Sequence, residues 1–385
     1  MSAPLVIVGT GLAGWTLARE FRKLDAETPI VLISRDDGSF YSKPMLSNAL
    51  AAGRSPASLV TTPAVAAAAA IQATVLAHRE VLRIDVASRQ VVLDDQVLGY
   101  RQLVLAQGAD PIRIALAGDA ADAVLSVNDL VDYGHFHAAL TAGAHVTILG
   151  AGLIGCEFAN DLIAAGYRAD VIDLAPLPLG RLVPEPAGRA LQDALTAAGV
   201  RFRLGTSARG IYRDGGKFSV ELAQGERLST DLVLSAVGLR PRTALAAAAG
   251  LTVDRGIVVD PGLRTSAPDV YALGDCAQVY GQVLPYVLPL MTGARALARS
   301  LTGVATDVVY PVMPVAVKTP ALPLSVVPAP VGMEGDWRYV DQPEGAASGL
   351  EGHFRDREGR LMGFVLAGGA TARRAALVRA FGQAL

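Results

Sequence analysis

Ten residues near the amino terminus, Leu5-Val6-Ile7-Val8-Gly9-Thr10-Gly11-Leu12-Ala13-Gly14, join an apolar run to glycines spaced Gly-x-Gly-x-x-Gly. That spacing suits a dinucleotide diphosphate. Gly9 makes the turn, Gly11 lets the backbone approach the pyrophosphate, and Gly14 lets a helix pack closely on a strand. The diphosphate then lies on the amides and positive dipole end of the helix. The pattern returns at Val146-Thr147-Ile148-Leu149-Gly150-Ala151-Gly152-Leu153-Ile154-Gly155. After this second turn an acid, Asp173, closes the next apolar run, about 20 residues past the glycines. A carboxylate there accepts from ribose hydroxyls and repels a 2′-phosphate, so this unit favours NADH over NADPH, a preference that Arg181 could soften. In the first unit the same slot holds Ser34, then Arg35, with Asp36 and Asp37 two and three residues late. Its ribose contact is expected to fall to Ser34 and backbone.

Each glycine turn needs a strand before it and a helix after it, and the sequence supplies both. Leu12, Trp15, Ala18, Phe21 and Leu24 can share one helix face, and Pro29-Ile30-Val31-Leu32-Ile33 reads as the next strand. Residues 55 to 78 read as loop plus an alanine-rich helix, and the stretches from Val81 and from Gln90 as half-exposed strands. Two apolar strands end at glycines: Leu103-Val104-Leu105-Ala106-Gln107-Gly108, and Leu232-Val233-Leu234-Ser235-Ala236-Val237-Gly238. They read as crossings between two nucleotide-binding domains, the second inserted in the first. The chain returns to Val270-Tyr271-Ala272-Leu273-Gly274-Asp275, where a carboxylate after a buried strand and a glycine suits a polyol. A helix opens near Val287, with Pro289 in its first turn, and runs to about Leu301. From Val304 prolines become dense; residues 312 to 320 read as strand, and Ala370 to Phe381 as a final helix. The expected fold is α/β, with two Rossmann-like dinucleotide-binding domains and a small α+β C-terminal domain. Expected boundaries are 1–111 with 238–303, 112–237, and 304–385.

Composition limits the function classes. A chain of 385 residues implies two or three domains. Mean hydropathy of +0.37 comes largely from alanine, and no apolar run approaches the ~20 residues of a spanning helix. The amino terminus has no basic n-region and is itself a strand, so no signal peptide is read. A net charge of −2 gives no reason to expect nucleic acid or a membrane surface. Cys156 and Cys276 form no Cys-x-x-Cys pair, which suits a reducing cytoplasm, and each reads as a small apolar packer. His135 and His137 diverge on a helix and gather no further ligands, so no metal site is expected. Pro44 holds Lys43 out of helical geometry on a fixed bend, a place that suits a solvated lysine or a functional one.

The two dinucleotide turns, the two glycine exits and Thr265-Ser266-x-x-x-Val270-Tyr271-Ala272-x-Gly274-Asp275 resemble the FAD-dependent pyridine nucleotide reductases over the whole chain. Within them, Tyr41-Ser42-Lys43-Pro44-Met45-Leu46-Ser47, Gly150 through Asp161, and Val317-Lys318-Thr319-Pro320 look closest to the rubredoxin–NAD reductases of pseudomonads, with the flavorubredoxin reductases next. The resemblance implies FAD on the amino-terminal unit, held by Gly9, Thr10, Gly11, Leu12, Ala13, Gly14, Ser34, Arg35, Ala106 and Gly108. It further implies Asp275 on the ribityl chain, the helix start at Val287 on the pyrimidine edge, and the Val81 backbone on adenine. Lys43, Pro44 and Lys318 would lie against the ring. NADH falls to Gly150, Gly152, Leu153, Ile154, Gly155, Asp173 and Gly238. Glu157 would stand near both the flavin and the nicotinamide, unless it is a surface-facing glutamate; Lys43 and Glu157 are the expected catalytic residues. Related ferredoxin reductases carry arginine in place of Lys43 and lysine in place of Asn48, so a lysine–glutamate pair is expected from Lys43 alone. The implied activity is NADH-driven reduction of rubredoxin, a small acidic iron protein, feeding a monooxygenase such as an alkane hydroxylase. Alternatives are a [2Fe–2S] ferredoxin reductase, an NADH oxidase and a flavin-binding redox sensor.

Overall fold

The computed structural model describes residues 3–340 and 349–382; positions 341–348 and 383–385 of the expected third domain lie outside the described residues. The chain divides into two compact units: residues 1–43, 58–110 and 239–310, and residues 44–57, 111–238 and 311–385.

In the first unit a five-stranded parallel sheet runs in the order Val270–Ala272, Gln102–Leu105, Leu5–Val8, Ile30–Ile33, Ala73–Leu76. The centre is a near-continuous apolar run because both faces are covered: Leu5, Val6, Ile7, Leu32, Val104 and Ala272 are buried with Trp15, Leu17 and Phe21 of the helix Leu12–Arg22. That helix stops before Leu24, which is 54% exposed, so Leu24 leaves the expected apolar face. The segment 55–78 also departs from expectation. It contains short helices, but Ala73–Leu76 is a strand pairing with Ile30–Ile33. Its alanine-rich approach masks it in sequence; the open edge of the neighbouring strand recruits it.

The second unit repeats the plan. Its parallel sheet runs Leu125–Ser126, Leu232–Ser235, His145–Leu149, Arg168–Asp173, Arg201–Leu204. Each parallel sheet has a three-stranded antiparallel companion, Val81–Asp85 with Gln90–Leu93 and Val97–Gly99 in the first unit, Ala208–Asp214 with Lys217–Leu222 and Arg227–Thr230 in the second.

The C-terminal part of the second unit is a five-stranded antiparallel sheet in the order Val315–Val317, Leu324–Val327, Leu361–Gly368, Gly349–Asp356, Gly335–Tyr339. The first of these is shorter than the expected 312–320, because Pro311, Pro314 and Pro320 cannot donate to a ladder. The last helix spans Arg374–Gly382 after a tight turn at Gly369–Arg373, and sets Leu377 and Phe381 on Phe364 and Leu366. Among the described residues no helix is long and apolar enough to cross a membrane.

Candidate functional site

The glycines of the two turns do different work. Gly9 has φ +115°, and a Cβ there would stand 2.3 Å from the Ala106 carbonyl oxygen. A Cβ on Gly14 would stand 1.9 Å from the Gly9 carbonyl oxygen. Gly150 and Gly155 repeat this, at 2.6 Å from Ala236 O and 1.9 Å from Gly150 O. These four are demanded by the protein's own backbone. Gly11 and Gly152 are not. Their backbones are extended, at φ −67° and −73°, and a Cβ would meet no atom within 4 Å. Among the described residues, nothing in the protein's own packing requires glycine at either position.

Each open glycine heads a helix, Leu12–Arg22 or Leu153–Ala164, whose first turn has no side-chain cap and no acid. The first amides of each helix thus keep their donors for an anion. An open cradle over uncapped amides fits a dinucleotide diphosphate in both units. Leu12, Leu153 and the exposed Ile154 lie in these first turns, while Ala13 is buried.

Around the first cradle the structure gathers most of the expected residues. Gly274, at φ +81°, brings its turn to within 3.0 Å, measured from a built Cβ, of the Ala13 methyl. Asp275 follows in that turn, and its Oδ2 lies 3.7 Å from Lys43 Nζ. The helix Val287–Leu301 begins uncapped beside the same turn, with Leu290 Cδ1 3.7 Å from the Gly274 position. Ala106 is buried against Gly9, and Gly108 turns at φ +72°. Ser34 is buried in hydrogen bonds with Thr10 and Asp36, Arg35 is exposed, and Val81 is half-buried at a strand start.

In the second unit the Asp173 carboxylate accepts from the Ala151 amide at 2.5 Å and the Ala175 amide at 2.7 Å. It ties the strand end to the glycine turn, and each oxygen keeps a lone pair for a ribose hydroxyl. Gly238, at φ +116°, accepts from the Ile112 amide at the crossing.

A third cluster lies on the helix Leu153–Ala164. Glu157 is 1% exposed, so it is not surface-facing. Its Oε2 accepts from Ser47 Oγ at 2.5 Å and lies 3.2 Å from Lys318 Nζ, and its Oε1 accepts from the Lys318 amide at 2.9 Å. The Lys318 ammonium also donates to the Pro44 carbonyl. The expected exclusive pairing of Lys43 with a glutamate is therefore corrected: Lys318 makes that pair, and Lys43 faces Asp275. The backbone fixes this, since the same residue that offers the ammonium also offers its amide to Glu157.

One turn on, Asn160 Oδ1 accepts from the Ala321 amide at 3.0 Å, and Asp161 accepts from Leu50 and Ala51 at 2.9 and 3.0 Å. Burial raises the Asp161 carboxyl above its ordinary range although these amides pull it down. Ser47, Asn160 and Asp161 escaped the sequence reading. The signal was present: Glu157, Asn160 and Asp161 stand at i, i+3 and i+4, a polar stripe on an otherwise apolar helix. It clamps segments 44–57 and 317–321.

Both cysteines are free and buried. Burial pushes the Cys276 thiol up to about 11 and raises Cys156 further. Neither is a thiolate at neutral pH.

Residues 3–296 match the pyridine nucleotide-disulphide oxidoreductase family model, and residues 307–381 match the rubredoxin binding C-terminal domain. The chain is 48% identical over 372 residues to a rubredoxin–NAD(+) reductase from Alcanivorax borkumensis, covering 95% of each chain. It is 44% identical to one from Acinetobacter baylyi, covering 95% of this chain and 94% of that one. The chain belongs to the rubredoxin–NAD(+) reductases of the pyridine nucleotide-disulphide oxidoreductase family. Among solved structures, the covalent putidaredoxin reductase–putidaredoxin complex superposes with a TM-score of 0.89 at 27% identity, covering all of this chain and 94% of that one. The family is named for a disulphide, yet this rubredoxin–NAD(+) reductase family member has only two buried free thiols to offer.

Proposed function

We propose that the chain takes electrons from NADH onto bound FAD and passes them to rubredoxin. The observation that carries this is a rubredoxin-binding C-terminal match in a chain that also holds two open diphosphate cradles. FAD, when bound, supplies hydride acceptance and release of electrons one at a time. With both thiols buried and protonated, the electrons leave without a dithiol relay.

The chain's own groups position and tune. First-turn amides after Gly11 and Gly152 donate to the two diphosphates. Asp275 accepts from ribityl hydroxyls and Lys43 balances its charge. The uncapped start of the helix at Val287 places a positive dipole end at the ring's pyrimidine edge, and the Val81 backbone serves adenine. Glu157, fixed by Ser47 and Lys318, sets the nicotinamide pocket, with Pro44 and Lys318 against the ring. We assign FAD to 1–111 with 238–303, NADH to 112–237 and the partner to 304–385, while by compactness residues 44–57 group with the second unit and 304–310 with the first. The two free, buried thiols suit a reducing, cytoplasmic setting. A monooxygenase such as an alkane hydroxylase suits the onward acceptor.

Asp173 sets the choice of nucleotide. NADH should exceed NADPH by well over tenfold in kcat/KM, more than ~1.4 kcal/mol, because a carboxylate opposes a 2′-phosphate. Asp173→Ala should narrow the ratio mainly by weakening NADH. Equal values in the unmodified protein would remove Asp173 from the ribose.

The partner is tested by NADH-driven cytochrome c reduction relayed by rubredoxin or by a [2Fe–2S] ferredoxin across a salt series. Arg338, Arg374 and Arg379 have no acidic partner within 4 Å among the described residues, which favours an acidic carrier. Rubredoxin should be the better relay by a wide margin, with a rate that falls as salt rises. A ferredoxin that matches it would leave only the broader reductase class.

A further inference from the structure

The segment 44–57 lies on the second unit with a polar contact every three or four residues. The Pro44 carbonyl accepts from the Lys318 ammonium, and the Ser47 hydroxyl donates to Glu157 Oε2 at 2.5 Å. The Leu50 and Ala51 amides donate to Asp161 Oδ2 and Oδ1 at 2.9 and 3.0 Å. The Arg54 carbonyl accepts from the Tyr133 hydroxyl at 3.0 Å. Lys43–Asn48 forms a tight 3-10 helix, and the Gly53 and Arg54 amides turn back onto the Leu50 and Ala49 carbonyls, both at 2.9 Å. The segment is therefore stiff on both sides of its contact with Asp161.

Asp161 is 3% exposed and has no cation within 4 Å among the described residues. Burial raises its carboxyl, so the position does not favour charge for its own sake. What it needs is two acceptors on one short side chain, one for each of two consecutive amides. Asparagine offers a single acceptor, and its NH2 group would face a backbone N–H. Two bonds to neighbouring amides fix both the place and the rotation of the segment, which one bond would not. Glu157 precedes Asp161 by one helical turn on the same face, and Ser47 precedes Leu50 by three residues. Seating residues 50 and 51 on Asp161 thus sets where along the helix Ser47 meets Glu157.

We propose that Asp161 is a positioning residue for hydride transfer. By gripping the Leu50 and Ala51 amides it holds the Ser47 hydroxyl on Glu157, and so fixes the carboxylate that serves the nicotinamide. The inference rests on the reading that Glu157 sets the nicotinamide pocket. A Glu157→Ala protein that bleaches as fast as wild type would end that reading and the proposal with it. A slow Glu157→Ala beside a fast Asp161→Asn would end the proposal alone.

The test follows bleaching of the FAD-loaded protein in stopped flow across NADH concentrations, for wild type, Asp161→Asn, Ser47→Ala and the double variant. Asp161→Asn should load FAD fully, and its limiting rate should fall about tenfold, as positioning losses do. Its half-saturating NADH concentration should stay within about twofold, because the cradle at Gly152 and the Asp173 carboxylate are untouched. Ser47→Ala should slow the same step, and the double variant should be no slower than the slower single one, since both break one link. Tyr133→Phe releases only the Arg54 carbonyl, beyond the clamp, and should lower the melting temperature while keeping the limiting rate within about twofold. If Asp161→Asn does not load FAD, Ser47→Ala reads the same link from its other end. An unchanged limiting rate in Asp161→Asn or in Ser47→Ala overturns the proposal. So does a double variant whose loss is the product of the two single losses, or a Tyr133→Phe protein as slow as Asp161→Asn, which would make the effect a general loosening.

Discussion

Gly11→Val should yield a folded, colourless protein. At this position the backbone is extended, φ −67°, and nothing of the protein lies within 4 Å of a built Cβ, so valine fits the fold. It does not fit a diphosphate resting on the first-turn amides. The circular dichroism spectrum should be unchanged, the flavin absorbance near zero, and the melting temperature lowered by the lost ligand linkage, about 3–4 kcal/mol for a ligand at 100 to 1,000 times its Kd. Gly152→Val provides the matched control. It should stay yellow and fully loaded, yet bleach with NADH only at far higher nucleotide concentration. Gly9→Val is no substitute for either, since φ +115° and the Ala106 carbonyl would unfold the turn itself. A fully yellow Gly11→Val protein would take FAD away from the first repeat.

Glu157→Ala should be the second large effect, and it should register in two independent readouts. The side chain is buried, and its loss strands the Ser47 hydroxyl, the Lys318 amide and the Lys318 ammonium at once. Removing one partner of a buried hydrogen-bonded pair costs about 3 kcal/mol, a fall of roughly 6–12 °C in melting temperature at about 2–4 °C per kcal/mol. Adding Lys318→Met should recover part of it, because the uncompensated charge goes too. FAD content should hold, while bleaching of the bound flavin by NADH in stopped flow slows by about tenfold or more, as positioning losses do. Lys43→Ala, which breaks only a half-exposed contact with Asp275 at 3.7 Å, should leave the melting temperature within about 1 kcal/mol equivalent. An unchanged melting temperature in Glu157→Ala would mean that the cluster holds nothing.

The amino-acid sequence by itself determined the two nucleotide repeats. Glycine is forced at Gly9 and Gly150 by a positive φ and at Gly14 and Gly155 by the carbonyl five residues back. Such short-range constraints are written in residue type and spacing, although the Ala106 and Ala236 carbonyls that also crowd Gly9 and Gly150 come from distant strands. The same holds for the buried strands, whose apolar runs have the right length, and for the two cysteines as packers. Tertiary structure alone decided three things. It separated the glycines required by the protein from Gly11 and Gly152, which the protein's own atoms leave open, because that distinction depends on what stands across open space. It made Ala73–Leu76 a strand, because an unpaired sheet edge outweighs the local preference of an alanine-rich segment. And it chose the partners of the charged residues: Glu157 with Lys318 across 161 positions, Lys43 with Asp275 across 232, and Thr10 with Ser34 and Asp36. Pairing of charges falls off over a few ångströms, while sequence spacing says nothing about which distant segments the fold brings that close.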